Sequence, residues 1–328
     1  MGGRWSSHHQ RRVSVNGVGL EVVEAGSGFP VVLAHGFPEL SYSWRHQVPA
    51  LAEAGYHVVA PDQRGYGRSD RPEAIEDYDL EHLAGDLLGL LDELGEERAV
   101  FVGHDWGAIV VWQLALLAPE RVAGVAGLSV PFVPRPPRPP TELWRRRFGN
   151  DFFYILYFQP PGPADADLGR DARTTMRRVL AGRAAAPADG EAAGLTGPAG
   201  AGFVGRFADP GELPAWLGED ELDVYVDAFE RTGFTGAINW YRNFDRNWEQ
   251  TAHLAGAKVT VPSLFIGGSR DPVLTMAPPS QMEGWLEDHR GSTIVDGAGH
   301  WVQQEAPDAV NAALIEFLGG LDLDRSAG

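Results

Sequence analysis

The sequence contains no cysteine, and this absence excludes disulfide bonds, a thiolate nucleophile and cysteine-based metal sites. Lysine is nearly absent too, since Lys258 is the only one among 27 lysine and arginine residues, against 45 acidic residues. The formal charge of −18 argues against a general affinity for nucleic acid or anionic membranes. One basic cluster, residues 145–147, is interpreted as a solvated helix face. No apolar run reaches the roughly 18 residues that suggest a membrane-spanning helix.

The amino terminus also lacks the apolar segment of a secretory signal peptide, so we expect a cytoplasmic protein. The chain is long enough for a large folded domain. Its 328 residues, 44% of them hydrophobic, can bury a large core. This length suits either one large domain or a domain that carries an insertion.

Over the first 130 residues, short apolar runs that predict strands alternate with amphipathic segments that predict helices. A hairpin is predicted over residues 12–23, with Asn16-Gly17 as its turn. Further elements are predicted as strands over 30–34, 57–60, 100–102 and 122–130, and as helices over 44–54, 79–94 and 108–118. This alternation predicts a mainly parallel sheet that helices cover on both faces.

The alternation then stops. Residues 131–140 form a proline- and arginine-rich stretch that excludes a helix or a central strand. Residues 144–158 and 219–248 are rich in aromatic side chains and have helical periodicity. The Ala-, Gly- and Pro-rich residues 181–202 lie between them and predict a loop or a weakly ordered segment, because they can bury little apolar surface.

The alternation resumes near the carboxyl end, where strands are predicted over 259–268 and 292–295 and helices over 281–286 and 307–318. The interruption therefore divides the chain into two units. We predict that these are an α/β core domain and a mainly helical cap domain, over residues 1–132 with 254–328, and over residues 133–253.

The most informative stretch follows the predicted strand 100–102 and reads Gly103-His104-Asp105-Trp106-Gly107. A strand, a tight turn with a glycine on each side and then a helix is typical of the nucleophile elbow, G-x-S-x-G, but its centre here is Asp105. A carboxylate at a helix N-terminus keeps its charge easily and can attack an electrophilic carbon to form an ester. Hydrolysis of that ester requires a general base and an oxyanion hole.

His300 is the predicted base, because it follows the last strand in a loop of small residues and is thereby presented at the carboxyl edge of the sheet. Asp271 follows the strand before it and is the predicted orienting acid, with Asp296 as the alternative. The backbone N–H groups of Phe37 and Trp106 fit the positions of an oxyanion hole. The other histidines are assigned elsewhere: His35 and His104 to structural hydrogen bonds in turns, His8 and His9 to the amino terminus, and His46, His57, His82, His253 and His289 to ordinary helix, strand or loop positions.

Six segments match motifs of a known family: HGFPELSYSWRHQ from His35, DQRGYGRSD from Asp62, GHDWG from Gly103, GAGHW from Gly297, FFYILYFQ from Phe152 and NWYRN from Asn239. Over nearly its whole length the chain resembles the soluble epoxide hydrolases of the α/β-hydrolase superfamily. The resemblance implies an α/β-hydrolase fold, with a mostly parallel eight-stranded sheet flanked by helices and an inserted helical cap. The chain departs from the family mainly over residues 170–210, where the Ala- and Gly-rich segment matches nothing specific.

The resemblance also assigns site residues. It makes Tyr154 and Tyr241 the two ring-opening tyrosines, whose O–H groups would bind and protonate the epoxide oxygen above Asp105. Tyr157 is the rival of Tyr154 and is assigned to core packing. The supporting residues around the nucleophile are His35, Gly36, Pro38 and His104.

The implied activity is hydrolysis of an epoxide to a vicinal diol, without metal or organic cofactor. A haloalkane dehalogenase uses the same Asp–His–acid set, but Phe37 occupies the position of its usual halide-binding Asn. A fluoroacetate dehalogenase would place an arginine at Trp106, and Asp105 argues against a serine esterase. The remaining alternative is a catalytically silent ligand-binding protein on the same fold.

The expected partners are a small apolar epoxide and water. Four aromatic residues of the predicted cap favour an apolar pocket: Trp144, Phe153, Phe158 and Trp240. We expect no nucleic acid and no membrane as a partner, and a homodimer is the assembly that the sequence leaves open.

Overall fold

The computed structural model describes residues 9–182 and 194–323. In these residues an eight-stranded sheet has the order β1-β2-β4-β3-β5-β6-β9-β10. Its strands are β1 (His9–Val15), β2 (Val18–Ala25), β3 (Pro30–Ala34), β4 (His57–Pro61), β5 (Ala99–His104), β6 (Val122–Leu128), β9 (Val259–Gly268) and β10 (Leu286–Val295). Only β1 with β2, and β2 with β4, pair antiparallel. The predicted mostly parallel sheet is confirmed.

The antiparallel edge arises from the predicted hairpin. Asn16 and Gly17 both adopt positive φ angles, 48° and 77°, which a two-residue turn between right-twisted strands requires. The central strands β3 and β5 are instead buried on both faces, as their continuous apolar sequences predict. They need helical crossovers, because parallel neighbours cannot be joined by a tight turn.

Helices cover both faces of the sheet. Helices α2 (Leu80–Glu93) and α3 (Trp106–Leu117) pack on one face, whereas α1 (Gln47–Glu53) and the last helix, α13 (Pro307–Gly319), pack on the other. Successive residues of β3 alternate between the two cores: Val32 joins the first and Val31 the second. The sheet is thus the shared wall of two apolar layers, as the α/β prediction requires.

Between β6 and β9 the described residues form seven α-helices and the small strand pair β7 (Phe152–Phe153) and β8 (Thr196–Gly197). The seven described helices are α4 (Pro140–Phe148), α5 (Tyr154–Phe158), α6 (Pro163–Gly169), α7 (Ala172–Met176), α8 (Glu219–Thr232), α9 (Thr235–Arg242) and α10 (Phe244–Gln250). The division into a core domain and a cap domain at residues 132/133 and 253/254 stays a prediction. Half of the predicted loop 181–202, residues 183–193, lies outside the described residues.

Three predicted helices are wrong in detail. The helix predicted over 144–158 is broken at Gly149, whose φ of 58° ends α4. Helix α1 begins at Gln47 rather than at residue 44, which places Pro49 in the first turn, where its missing N–H has no intrahelical partner to lose. The predicted helix 281–286 is a 3-10 turn, Pro279–Met282, after which β10 starts at Leu286.

The misassignment near β10 has a physical cause. This strand lies at the edge of the sheet, and its residues 287–290 are Glu, Asp, His and Arg, so it carries no apolar run before residue 292. Register shifts in its pairing with β9 further obscure a period of two. The last two short helices, α11 (Val273–Met276) and α12 (Val302–Glu305), each follow a predicted site residue. Among the described residues, no helix has the length and apolar character of a membrane span.

Candidate active site

Asp105 lies between β5 and α3 with φ of 52° and ψ of −116°, a backbone conformation that side chains rarely adopt. The turn is so tight that a Cβ atom on Gly103 would collide with the backbone of Gly107, and one on Gly107 would collide with Ala34. A Cβ atom on Gly36 would collide with the Asp105 side chain itself. The three glycines therefore let the strained turn present a carboxylate at the carboxyl edge of the sheet.

Asp105, His300 and Asp271 come together although they are far apart in the chain. His300 Nδ1 lies 2.9 Å from Asp271 Oδ2, and His300 Nε2 lies 3.5 Å from Asp105 Oδ2. Asp271 lies in the loop after β9, which ends at Gly268, and its other oxygen accepts a 2.8 Å hydrogen bond from the N–H of Val273. Hence Asp271 is held on both oxygens, and the imidazole that it orients faces the Asp105 carboxylate. Asp296, the alternative acid, contacts Ser269 instead.

The loop that carries His300 is fixed on several sides. Glu305 accepts hydrogen bonds from the N–H groups of Gly299 and Trp301, at 2.7 and 2.9 Å. The His300 carbonyl accepts a 2.7 Å hydrogen bond from Ser129 Oγ. Burial raises the pKa of Glu305 and the two N–H groups oppose this effect. The imidazole is therefore positioned by its backbone as well as by Asp271.

Asp105 Oδ1 accepts a 2.8 Å hydrogen bond from the N–H of Phe37, and the N–H of Trp106 lies at the start of the helix that Asp105 caps. Burial raises the pKa of Asp105, but the hydrogen bond and charge of His300, the charge of His104 and the Phe37 N–H lower it more. The net pKa lies below its ordinary value, so Asp105 is a carboxylate at neutral pH. The two oxygens are inequivalent: Oδ1 faces an N–H donor and Oδ2 faces the imidazole.

The loop after β3 supports this donor. His35 Nε2 accepts a hydrogen bond from the N–H of Gln63, so its Nδ1 carries the proton and donates to the Gly36 carbonyl, with both distances 3.0 Å. Burial lowers the pKa of His35, which agrees with a neutral ring. The peptide bond between Phe37 and Pro38 is cis. These contacts order the turn that carries the Phe37 N–H.

A second buried acid–histidine pair, Glu39 with His104, lies behind the first. His104 Nδ1 is 2.6 Å from Glu39 Oε2, and His104 Nε2 is 2.7 Å from the His300 carbonyl. The carboxylate also accepts from the N–H of Gly36 at 3.0 Å and from the amides of Gln303 and Gln304 at 2.9 and 3.1 Å. Burial raises the pKa of Glu39, but His104 and the N–H donor lower it to a net value below normal. A carboxylate and a carbonyl both accept, so His104 donates from both ring nitrogens.

Tyr154 and Tyr241 line the same cavity as Asp105, with their ring centroids 5.8 Å apart. The ring of Tyr241 packs edge-on against Phe37 and Trp106, at 5.3 and 5.1 Å between centroids. Tyr157, the rival of Tyr154, does not line this cavity, and its hydroxyl donates to the Pro163 carbonyl at 3.4 Å. Of the two candidates, only Tyr154 lines the same cavity as Asp105.

The cavity has a volume of about 400 Å³ and follows α3 outward from Asp105 past Ile109 and Gln113 to Leu116. The distance from Asp105 to Leu116 is roughly 16 Å, at about 1.5 Å per helical residue. The predicted pocket residues Trp144 and Phe153 line it, whereas Phe158 and Trp240 are buried in the packing around it. Within the described part of the chain, no group of three or more His, Asp or Glu side chains could hold a metal ion.

Comparison with known proteins agrees with this geometry. Residues 30–307 match the alpha/beta hydrolase fold family. Epoxide hydrolase A of Mycobacterium tuberculosis is 59% identical over 96% of this chain and 98% of that protein. The chain belongs to the epoxide hydrolases of the α/β-hydrolase superfamily. The crystal structure of epoxide hydrolase A from Mycobacterium thermoresistibile is similar as well, with a TM-score of 0.93 and 57% identity over 97% of this chain and all of that one. Epoxide hydrolase 3 of Siraitia grosvenorii is 41% identical over 93% of this chain and 96% of its own length.

Sequence reasoning missed several residues of this epoxide hydrolase site. Glu39 received no role, although it stands inside a motif that carries the family resemblance and directly follows the Phe37–Pro38 turn. Gln303 and Gln304 were missed too, and two adjacent amides just after the predicted base were the available signal. Ser129 gave no signal at all, because its contact with the His300 carbonyl joins residues 171 positions apart in the chain.

Proposed function

We propose that this enzyme converts an epoxide to a vicinal diol through a covalent ester on Asp105. The observation that carries the proposal is the arrangement of Asp105 between two unlike groups. Its Oδ1 accepts from the Phe37 N–H at 2.8 Å, and its Oδ2 lies 3.5 Å from His300 Nε2. A nucleophile that becomes an acyl group needs an N–H donor at the future oxyanion and a base at the reacting side.

In the first step, Oδ2 of Asp105 attacks an oxirane carbon and the carbon–oxygen bond of the ring breaks. The electron pair goes to the ring oxygen, to which the hydroxyl of Tyr154 or Tyr241 transfers a proton. Both tyrosine rings line the cavity above the nucleophile, which supports this role. The lowered pKa of Asp105 keeps the attacking group ionised without a separate base. The product of this step is a hydroxyalkyl ester.

In the second step, His300 takes a proton from water, and the resulting hydroxide attacks Cγ of Asp105. Negative charge develops on Oδ1, where the N–H groups of Phe37 and Trp106 stabilise it. The tetrahedral intermediate then expels the diol oxygen, which receives the proton from His300. Asp271 stabilises the imidazolium that exists between the two proton transfers, and its 2.9 Å contact with Nδ1 supports this role. One oxygen of water remains in the Asp105 carboxyl group, whose proton returns to the tyrosinate formed in the first step, so that both side chains regain their starting states.

The cavity supports an apolar epoxide as the substrate. Its wall near Asp105 contains the aromatic rings of Trp106, Phe153 and Phe244, and Asp105 is the only acidic residue that lines it within the described chain. Ring burial is the main source of affinity that such a wall offers. Haloalkane dehalogenation finds no support at Phe37, whose side chain packs against Tyr241 and Phe158 and offers no halide donor.

A panel of mono-, cis-, trans- and aryl-substituted epoxides, assayed beside chlorinated and brominated alkanes, tests the reaction class. We expect diol from several epoxides, no halide release, and no turnover by Asp105→Asn. An Asp105→Asn enzyme that keeps full epoxide turnover, after deamidation is excluded by mass, would overturn the assignment of the nucleophile. Halide release as the faster reaction would overturn the reaction class.

A further inference from the structure

A buried amide, Gln304, joins the helix that follows His300 to helix α8, one of the helices inserted between β6 and β9. Its Oε1 lies 3.0 Å from the hydroxyl of Tyr225 on α8 and 2.6 Å from Arg45 Nη1. Its Nε2 donates to Glu39 Oε1 at 3.1 Å. Gln304 and Tyr225 are at most 1% exposed. A polar junction therefore lies in the interior, although buried apolar side chains would pack there without needing partners.

The donor and acceptor of each hydrogen bond can be assigned by starting from Glu39. Glu39 is a carboxylate and only accepts, so the amide nitrogen of Gln304 faces it and the amide oxygen faces Tyr225. Tyr225 must then donate to Gln304. Its oxygen, 2.8 Å from Ser43 Oγ, accepts from Ser43. One direction thus runs along the whole chain of bonds, from Ser43 through Tyr225 and Gln304 to Glu39.

The chain of bonds ends at the catalytic loop. Glu39 holds His104, whose Nε2 donates to the His300 carbonyl at 2.7 Å. Gln304 is also on α12, only four residues beyond His300, so the same amide constrains the loop directly along the backbone. Arg45 makes a second connection between Gln304 and helix α8, because it binds Gln304 at 2.6 Å and Glu221 of α8 at 2.7 Å.

We propose that Tyr225 and Gln304 are positioning residues for the hydrolysis of the ester, because they fix the His300 loop relative to helix α8. This inference rests on the two-step mechanism proposed above. Neither residue lines the cavity or contacts Asp105, Tyr154 or Tyr241 among the described contacts, so ring opening does not depend on them. Ester hydrolysis does, because it requires His300 to be in line with a water and with Cγ of Asp105.

The test measures the two steps separately. Enzyme is mixed with styrene oxide in single turnovers, quenched, and analysed by intact mass, so that formation and decay of the ester are both timed. Tyr225→Phe keeps the ring and removes the hydroxyl, and Gln304→Met keeps the volume and removes the amide. Tyr78→Phe is the matched control, because Tyr78 is equally buried and donates at 2.8 Å to the Pro72 carbonyl, outside this chain of bonds.

We expect ester decay to slow about three- to fivefold in Tyr225→Phe, which removes two buried hydrogen bonds, and about tenfold in Gln304→Met, which removes three. Ester formation should change less than about twofold, and Tyr78→Phe should leave both rates unchanged. In the double variant, Tyr225→Phe should add little to Gln304→Met, because both residues act along one path. A merely structural role would lower the melting temperature without changing the ratio of the two rates.

Three outcomes would overturn the inference: decay in Tyr225→Phe within twofold of wild type, equal slowing of both steps, or effects that multiply fully in the double variant. If Gln304→Met fails to fold, the comparison of Tyr225→Phe with Tyr78→Phe decides alone. The absence of any mass increase, in wild type and in His300→Gln, is a different result. It would reject the ester mechanism itself.

Discussion

Two carboxylate–imidazole pairs lie side by side, with the rings of His300 and His104 4.9 Å apart. Both imidazoles are fully buried and both bind a carboxylate through Nδ1, Asp271 in one pair and Glu39 in the other. They differ at Nε2. In His300 this atom faces the Asp105 carboxylate at 3.5 Å, whereas in His104 it donates to the His300 carbonyl at 2.7 Å. The comparison teaches that the partner of the second nitrogen decides the role, because a nitrogen that donates to a backbone carbonyl cannot accept a proton from water.

The largest effect is expected from His300→Gln, which removes the proposed base. Ester hydrolysis should slow by about 10²- to 10⁴-fold, while attack by Asp105 continues. Intact-mass measurement after incubation with an epoxide should therefore show enzyme heavier by one substrate. Asp105→Asn is the control and should stay unmodified. An unmodified His300→Gln enzyme with normal turnover would move the base assignment elsewhere.

Tyr154 and Tyr241 should act in ring opening, the step that precedes the ester hydrolysis in which His300 acts. Removal of one hydroxyl, in Tyr154→Phe or Tyr241→Phe, should slow ester formation by about ten- to a hundredfold, since charge on the epoxide oxygen loses one of its two donors. Ester decay should change much less. Tyr157→Phe is the matched control, because its hydroxyl bonds to Pro163 away from the cavity. Slower formation in Tyr157→Phe than in Tyr154→Phe would reverse the choice between these two residues.

A smaller kinetic effect is expected from His104→Gln. The amide can keep a donor towards the His300 carbonyl, so ester decay should slow only about three- to tenfold and the alkylated enzyme should not accumulate as it does in His300→Gln. The buried Glu39 carboxylate loses its charged partner, and the free energy of unfolding should fall by about 3 kcal/mol. Urea unfolding measures this loss. Accumulation of ester equal to that in His300→Gln would erase the distinction between the two pairs.

A feature could be predicted from the sequence when the residues that form it are close together in the chain. The Asp105 turn was predictable because its glycines, strand and helix are neighbours in the chain, and β3 and β5 were predictable as unbroken apolar runs. The roles of Glu39 and Gln304 were not predictable, because they depend on contacts that only the folded chain creates. Glu39 and His104 are 65 residues apart, Gln304 and Tyr225 are 79 apart, and Gln304 and Glu39 are 265 apart. The first part of the edge strand β10, before the predicted strand 292–295, was not predicted for a different reason: its exposed residues carry little apolar signal. Resemblance to the family supplied Tyr154 and Tyr241, which composition and periodicity alone do not single out.

A third carboxylate–imidazole pair, Asp79 with His82, does not itself line the cavity and should affect mainly stability. Asp79 caps α2, and its buried carboxylate also accepts from Arg246 and Gln250 at 2.8 and 2.9 Å. Burial raises the pKa of Asp79, but these donors lower it to a net value below 3.8. A lowered folded-state pKa stabilises the fold above the unfolded pKa, and this contribution disappears as the pH falls through the folded value.

The free energy of unfolding of Asp79→Asn should therefore be about 1–2 kcal/mol lower than that of wild type between pH 5 and 8. The difference should shrink as the pH falls below the unfolded-state pKa of about 3.9 and through the lower folded-state pKa, because the wild-type carboxylate also becomes neutral over that range. Urea unfolding over a pH series measures it, and kcat of the folded variant should equal that of wild type. A difference that grows as the pH falls would have the wrong sign for a lowered pKa.

The central claim is that the Asp105 carboxylate is the nucleophile and that water attacks its ester rather than the epoxide. A single turnover in heavy-oxygen water, with enzyme in excess over epoxide, tests it most directly. Peptide mass analysis should find one heavy oxygen in the side chain of Asp105 and none in the first diol released. Label in the diol with an unlabelled Asp105 would show direct attack by water and would contradict the account.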